Sequence, residues 1–178
     1  MHERQALRDA VVAQLVGPSP YVRTAAGQRV YKTRNGPVRE LDLPCLCVFC
    51  GSETVDTSNP IELRRDVTVT IEGYVKAAPT ADLDAAMDDL ALQVETAVDI
   101  DPFFSTTACG SALTRTVLET SMLGNQPMGR VALEYVCRYE TPYRGVAPTD
   151  LLTTADIRTS LSGAQATADQ SHDVVTLP

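Results

Sequence analysis

A strict alternation of side-chain character covers residues 63–77. Because successive side chains of a β-strand point to opposite faces, this period of two predicts a long strand with one buried and one hydrated face. The side expected to be buried carries Leu63, Arg65, Val67, Val69, Ile71, Gly73, Val75 and Ala77. The other side carries Arg64, Asp66, Thr68, Thr70, Glu72, Tyr74 and Lys76. Pro79 ends the strand, since proline lacks the N–H that a ladder requires.

Beyond Pro79 the apolar positions recur at steps of three and four, which predicts one stripe of an α-helix. The stripe consists of Leu83, Met87, Leu90, Val94 and Val98. Thr80 is placed to cap this helix, and Asp82 and Asp84 lie in its first turn, where the helix dipole favours negative charge. We therefore expect a helix that directly follows the long strand and packs on its apolar face.

Three further elements are predicted before the long strand. Glu3 to Val16 has a helical stripe that Gly17-Pro18 ends. Arg29 to Arg34 is a short strand candidate. The continuous apolar run from Cys45 to Cys50 indicates a strand covered on both faces, and Glu53 to Pro60 is expected to be a polar connection.

Two extended segments after the helix predict a β-hairpin. Ser111 to Leu123 is rich in β-branched residues, Gly124 to Gly129 is a turn or flexible loop, and Arg130 to Thr141 is a second clean strand. A period of two places four residues of the first segment on one face: Leu113, Arg115, Val117 and Glu119. In the second segment the apolar face comprises Val131, Leu133, Tyr135, Cys137 and Tyr139.

The elements together predict an α+β fold with a mixed, mainly antiparallel sheet, a long β-hairpin and one or two packed helices. We expect a domain over residues 1–145 and a C-terminal extension over residues 146–178. The extension lacks aromatic residues and lysine, which is typical either of a mobile tail or of an arm that orders on a neighbouring subunit. A weak helix from Thr154 to Leu161 is one expectation within it.

Charge and composition exclude several classes of function. The chain has 178 residues, a formal net charge of -8 and a pI near 4.7, whereas proteins that grip duplex nucleic acid carry a basic surplus. The N-terminal residues lack a secretory pattern, and the apolar runs are far shorter than the roughly 18–20 residues that a membrane span needs. The five cysteines are an odd number, so we expect folding in a reducing cytoplasm rather than a disulfide scaffold.

The cysteine pattern Cys45-x-Cys47-x-x-Cys50 is the first candidate for chemistry. Such spacing can bind zinc or perform redox work, with Cys109 and Cys137 elsewhere in the chain. The three cysteines lie inside an apolar strand-like run, where Cys45 and Cys47 share a face and Cys50 points away. We therefore interpret them as small buried apolar side chains, with a metal site and a redox site as the alternatives.

The other groups that could catalyse a reaction are sparse. His2 and His172 both lie near chain ends, where positioning a general base is difficult. Asp88-Asp89 is interpreted as the hydrated side of a helix, and Asp99 with Asp101 as carboxylates flanking a helix end, with a divalent-ion site as the alternative. No nucleophile elbow, phosphate loop or dinucleotide fingerprint is present in the sequence, so we predict neither an enzyme nor a cofactor.

Charges of both signs follow the polar faces of the predicted strands. One interpretation is a solvated sheet face with cross-strand ion pairs; the other is an interface between subunits, or with a tube of subunits, whose register is set by charge pairing. The residues that we expect to make such contacts are Arg64, Asp66, Arg115, Glu119, Arg138 and Glu140.

Several segments of the chain, taken in order, resemble one protein family. RRDVTVTIEGYV, DLDAAMDDLALQVETAV, LTRTVLETSM and GRVALEYVCRYETP are similar to the tail terminator (minor tail protein U-like) proteins of long-tailed bacteriophages. LPCLCVFCGSETVD is similar to the first core strand of that family, with cysteines at positions that are usually plain apolar ones. The resemblance covers residues 3–142.

This resemblance implies a tail-tube-like fold and a structural role in the virion. Such proteins form hexameric rings at the head-proximal end of the tail tube, stop its polymerisation and offer a docking surface to the head–tail connector. DNA passes through the lumen without specific binding, for which an acidic protein is suitable. The implied location is the tail of a virion assembled in the host cytoplasm, without membrane contact. The alternatives are a neck or tail-completion (head–tail joining) protein, or a cytoplasmic metal or thiol protein that uses Cys45, Cys47 and Cys50.

Overall fold

The computed structural model has an α+β fold in which two helices pack on a five-stranded, mostly antiparallel sheet. The chain divides into two compact units, residues 1–141 and 142–178. The structure describes residues 2–17, 23–33, 36–59, 61–76, 82–123, 126–142, 154–158 and 172–176.

The two helices begin at side-chain caps. α1 spans Glu3–Val16, and the Nδ1 atom of its N-cap residue His2 accepts a hydrogen bond of 3.2 Å from the N–H of Arg4. It ends at Gly17, whose φ of 73° lies in the region that favours glycine. α2 spans Leu83–Asp99, and its N-cap is Asp82, whose carboxylate accepts from the first-turn N–H groups. The predicted cap Thr80 is therefore wrong, because the helix starts two residues later than expected.

The sheet of the first unit has the strand order β1-β2-β3-β5-β4. Its strands are β1 (Val30–Lys32), β2 (Cys45–Asp56), β3 (Glu62–Lys76), β4 (Gly110–Leu123) and β5 (Gln126–Pro142). β1 is parallel to β2, whereas β2 pairs with β3 and β4 pairs with β5 in antiparallel register. β3 and β5 also run antiparallel, since Asp66 contacts Arg138 and, further along β3, Glu72 contacts Arg130. The predicted long strand and hairpin are confirmed.

One hydrophobic core lies between the two helices and one face of this sheet. We call that face the helix face and the opposite one the open face. Alternation along β3 and β5 sends the predicted apolar side chains to the helix face, where those from Val131 to Tyr139 are at most 3% exposed. Gly73 allows α2 to approach closely, because a Cβ at this position would lie 2.7 Å from Leu90 Cδ2 and 3.0 Å from Val131 Cγ1.

Two predicted loops are partly strand. Residues 53–56, predicted as a polar connection, continue β2, because their backbone pairs with residues 64–67 of β3 although their side chains are mostly exposed. Residues 126–129, predicted as a loop, begin β5 and pair with residues 120–123. In both segments cross-strand pairing overrides a polar or glycine-rich local sequence.

The second unit contains a two-stranded antiparallel sheet formed by β6 (Thr154–Arg158) and β7 (His172–Thr176). The helix expected from Thr154 to Leu161 is wrong over residues 154–158, which are extended, and residues 159–161 lie outside the described part of the chain. The expectation of a mobile tail or of an inter-subunit arm stays a prediction.

Within the described residues, neither helix has the length and apolarity that crossing a bilayer requires.

Candidate interaction surface

The structure places all the predicted interface residues on the open face of the sheet. Those of β3 and β5 alternate with core side chains, and those of β4 pair with open-face residues of β5. The open face therefore brings the predicted set together: Arg64, Asp66, Arg115, Glu119, Arg138 and Glu140.

A bidentate ion pair joins β3 to β5 on the open face. Arg138 Nε lies 2.7 Å from Asp66 Oδ1, and Arg138 Nη2 lies 2.9 Å from Asp66 Oδ2. The two parallel N–H···O bonds match the fork of the guanidinium to the carboxylate. These hydrogen bonds from Arg138 hold the pKa of the Asp66 carboxyl below its ordinary value. The pair fixes the relative position of the two strands. Both residues therefore have partners within the chain and need none from another subunit.

A second charged network on the same face spans three strands. Arg130 of β5 binds Glu72 of β3 through Nη2, and its Nη1 lies 2.6 Å from Glu119 Oε2 of β4. The hydroxyl of Tyr74 donates a 2.7 Å hydrogen bond to Glu72 Oε2. Burial and this hydrogen bond to a carboxylate raise the pKa of Tyr74 to about 12. One guanidinium thus ties the hairpin to the central strand.

The remaining predicted residues differ in how closely their charges are paired within the subunit. Arg115 Nη1 lies 3.7 Å from Glu134 Oε1, and the Arg115 side chain is 65% exposed, so this contact is loose. Arg64 and Glu140 form no ion pair with any described residue. They line a shallow hollow at the end of the sheet that Asp56, Ser58, Asn59 and Glu62 complete. Arg64, Arg115 and Glu140 are therefore the predicted residues most available to a partner.

The sheet has an open edge on each side. β4 is one edge strand, and no described strand pairs with its outer side. On the other side β1 covers only Leu46–Val48 of β2, so among the described strands none covers residues 49–56. Unpaired N–H and C=O groups along such edges are ready to pair with another chain.

The face assignment along β4 corrects a sequence prediction. A bulge lies between Leu113 and Arg115, because Leu113 pairs with Tyr135 whereas Arg115 pairs with Glu134. Leu113 therefore lies on the helix face and not with Arg115, as a strict period of two implied. The helix face of β4 consequently carries three exposed apolar side chains, Leu113, Leu118 and Met122.

A partly buried charged cluster was missed by sequence reasoning. Glu53 on the helix face of β2 accepts hydrogen bonds from the Tyr139 hydroxyl and, at 3.1 Å, from Arg65 Nη1. Arg65 Nε in turn donates to Thr141 Oγ1 at 2.9 Å. The signal was present, since Arg65 interrupts the apolar alternation and must have a partner when it is partly buried.

The thiols are spread over both faces of the sheet. Cys45 and Cys47 are buried but belong to the opposite face from the helices, so they are not part of the hydrophobic core. Cys50 packs against that core on the helix face, as the strand period predicted. Burial raises the pKa of the Cys50 thiol, and it raises that of Cys137 to about 12, so both remain protonated at neutral pH. Within the described residues no three His, Cys, Asp or Glu side chains are grouped as metal ligands.

The other polar candidates have structural contacts. Asp101 accepts backbone hydrogen bonds from Phe103 and Ser105, which holds the turn where Phe104, Ser105 and Thr106 have positive φ. Asp88 and Asp89 are exposed on α2, as predicted. His2 caps α1, whereas the side chain of His172 lies outside the described part of the structure.

Comparison with known proteins gives little direct guidance. No family model matches the chain, and no curated protein matches it. One of the solved structures that match is titled "Virion of native gene transfer agent (GTA) particle". The matched chain is 20% identical, with a TM-score of 0.43 over 76% of this chain and 95% of that chain. That similarity is too weak to assign a family or a function.

Proposed function

We propose that this protein is a structural component of a long-tailed, phage-like virion. In this role several copies form a closed ring on the head-proximal end of the tail tube. The ring stops polymerisation of the tube and presents the surface on which the head connector docks. The sequence resemblance of residues 3–142 to tail terminator proteins is the basis for this specific role.

The observation that carries the proposal is the pair of open edges on opposite sides of one sheet. β2 and β5 run in the same direction, and β4 runs opposite to both. The β4 edge of one copy and the β2 edge of an equally oriented neighbour therefore have the antiparallel sense that strand addition requires. Contacts of this front-to-back kind close into a ring when the rotation between copies permits it.

The charged open face supports the same role. Most of its charges are neutralised within the subunit, so the hairpin is held rigidly, while Arg64 and Glu140 stay available at the end of the sheet. These residues are suited to a second contact, with the tube or with the connector. The net charge of -8 also suits a lumen through which DNA slides, since like charges do not adhere.

The deciding experiment is to delete the gene from the particle that encodes it and image the products by electron microscopy. We expect tails of irregular, extended length that are detached from filled heads, and we expect rescue by the intact gene. Tails of normal length joined to heads would contradict the proposal. Tails of normal length that fail to join heads would instead indicate a neck or head–tail joining protein.

A further inference from the structure

Two groups of opposite charge lie on the helix face, one beside each open edge of the sheet. Arg4 and Arg8 of α1 line a hollow beside the open part of β2, where the Cys50 thiol donates to the backbone carbonyl oxygen of Arg4. Gln93 and Ala97 of α2 face α1 and the residues after it, so the helical period places Glu95 and Asp99 on the opposite side, towards β5 and the β4 edge, where both act electrostatically on Tyr135. The two groups therefore belong to the two edges that a front-to-back contact would join.

The acidic group lies near a buried hydroxyl, that of Tyr135, which lacks a hydrogen-bond partner among the described residues. Tyr135 is 3% exposed, and its OH forms no hydrogen bond with a described residue. Burial, with Glu95 and Asp99 nearby, raises the pKa of Tyr135. Neither carboxylate forms an ion pair within the described chain. Ser111 on the adjacent β4 also has a buried oxygen that no described residue hydrogen-bonds. A buried polar group without a partner is costly, so this cluster is chemically incomplete in the single subunit.

The basic group is likewise only partly satisfied. Arg8 Nη1 donates a 2.9 Å hydrogen bond to Thr33 Oγ1, but among the described residues Arg8 Nε has no hydrogen-bond partner and no carboxylate pairs with Arg8. Arg4 Nε lies 3.9 Å from Glu53 Oε2, at the limit of an ion pair. A hollow beside β2 is lined by His2, Arg4, Gln5, Arg8 and Cys50. This hollow therefore offers cationic groups to an acidic partner.

Both groups lie at the same end of the sheet. Thr54 of β2 pairs with Asp66 of β3, which binds Arg138, and Arg138 pairs with Gly110 at the start of β4. The open part of β2 and the first residues of β4 are therefore level with each other across the sheet. An equally oriented neighbour placed against β4 would bring its α1 N-terminus towards the acidic side of α2.

We propose, building on the ring proposed above, that Glu95 and Asp99 of one copy bind Arg8 and Arg4 of the next copy. Each open edge is interrupted by a bulge, at residues 50–53 in β2 and at residues 113–115 in β4. Because a bulge disrupts the regular ladder, backbone pairing alone defines the register between copies poorly. The charge pairs then set the register and exclude a slipped contact.

The test is charge reversal and charge exchange in the full-length protein. We would measure ring assembly by native mass spectrometry and sedimentation velocity for Arg8→Glu, for Glu95→Arg and for the double variant. Each single reversal places like charges together in every interface, so we expect the concentration for half-assembly to rise about tenfold or more. The double variant restores opposite charges in every interface and should assemble close to wild type.

Matched controls separate this contact from general effects of charge. Asp89→Arg makes the same change on the exposed side of α2, and Arg39→Glu makes it at an exposed position away from the open edge of β2; both should assemble normally. Circular dichroism must show folded subunits, and the neutral variants Arg8→Gln and Glu95→Gln replace any reversal that unfolds. The inference is overturned if wild-type rings form and both singles assemble equally well, or if the double variant stays impaired. A wild-type protein that never closes into rings would overturn the proposed function as well.

Discussion

At the scale of single residues, the fold depends on a few positions that hold the helices to each other and to the sheet. Gln14 of α1 is buried, and its Nε2 donates to the carbonyl oxygens of Ala97, Val98 and Asp101, at 2.9, 3.2 and 3.0 Å. These carbonyls belong to the end of α2 and the turn after it, where the intrahelical donors are exhausted. One amide thereby caps α2 from another helix.

We predict that Gln14→Glu destabilises the protein in a pH-dependent manner. The variant carboxylate would face carbonyl oxygens, so its folded-state pKa should rise above the unfolded value. Its stability should therefore be closest to wild type below pH of about 4 and should fall as pH rises, by about 1–3 kcal/mol or more at pH 7. Urea unfolding across this pH range measures the effect.

Gln93→Glu is the matched control for this change. Gln93 uses its oxygen, Oε1, to accept a 2.7 Å hydrogen bond from the N–H of Ala25, and a carboxylate preserves that acceptor. A loss of stability at Gln93 as large as that at Gln14 would show that added negative charge, and not the loss of the donor, causes the effect.

Gly73 provides a second prediction at this scale. A methyl group here would meet Leu90, Val131 and Leu46 at 2.7, 3.0 and 3.3 Å in a packed core. We expect Gly73→Ala to reduce the free energy of unfolding by about 1–3 kcal/mol. Gly51→Ala is the control, because its Cβ would lie 3.6 Å from Thr68 O, an ordinary contact. Equal unfolding midpoints for the two variants would argue against close packing of α2 on β3.

At the scale of elements, ion pairs across β3, β5 and β4 hold the hairpin in register. The Asp66–Arg138 pair lies on a partly solvated face, so it contributes modestly to stability while it constrains position. The register between β4 and β5 also contains a bulge at residues 113–115, which turns Leu113 to the helix face. A change of face by one inserted residue explains why the alternation in this strand is poor.

The lowered pKa of the Asp66 carboxyl leads to a prediction about unfolding in acid. Its pKa is lowered in the folded state by hydrogen bonds from Arg138, so its contribution is present above the unfolded value of about 3.9. That contribution should be lost as pH falls from there through the folded-state value. The stability difference between wild type and Asp66→Asn should therefore shrink between pH of about 5 and about 2.

A double-mutant cycle with Arg138→Gln tests the cause. In the Arg138→Gln background, Asp66→Asn should have little further effect at neutral pH. A pH-dependent difference that persists without Arg138 would assign the effect to another group.

At the scale of the whole molecule, the open face combines charges held in close ion pairs with two, Arg64 and Glu140, that form no such pair with a described residue. Arg64 and Glu140 line the hollow at the end of the sheet. Because neither makes an ion pair within the described chain, Arg64→Gln and Glu140→Gln should change the free energy of unfolding by less than about 0.5 kcal/mol. Both should nevertheless reduce joining of tails to heads, measured by complementation of a gene deletion. Arg39→Gln, also exposed, should complement fully, and full complementation by all three variants would remove Arg64 and Glu140 from the proposed contact.

The comparable change at Glu119 is a less clean test. Glu119 binds Arg130, so reversing its charge would disturb the three-strand network inside the subunit as well as any partner. Only the tertiary structure separates charges used within the subunit from charges available to a partner.

The sequence by itself determined the local elements whose periodicity is strong. The alternation along β3 and β5 and the stripe of α2 follow directly from which side chains must leave water, so the type of each element and its buried face were predictable, although β5 begins four residues earlier and α2 two residues later than predicted. The face of Cys50 and the exposure of Asp88 and Asp89 follow from the same periods. That the charged residues of β3 share one face, and those of β5 likewise, was also predictable, because alternation along each strand places them there.

Tertiary structure decided everything that depends on neighbours distant in the sequence. The strand order leaves the outer side of β4, and of residues 49–56 of β2, without a neighbouring strand among those that the structure describes, and no local pattern specifies which strands become edges. The bulge in β4, the extension of β2 through residues 53–56 and the partly buried Glu53 cluster arise from cross-strand pairing, which overrides local preference. Whether a charge is free or paired is likewise a property of the assembled sheet, because it depends on which strands lie side by side.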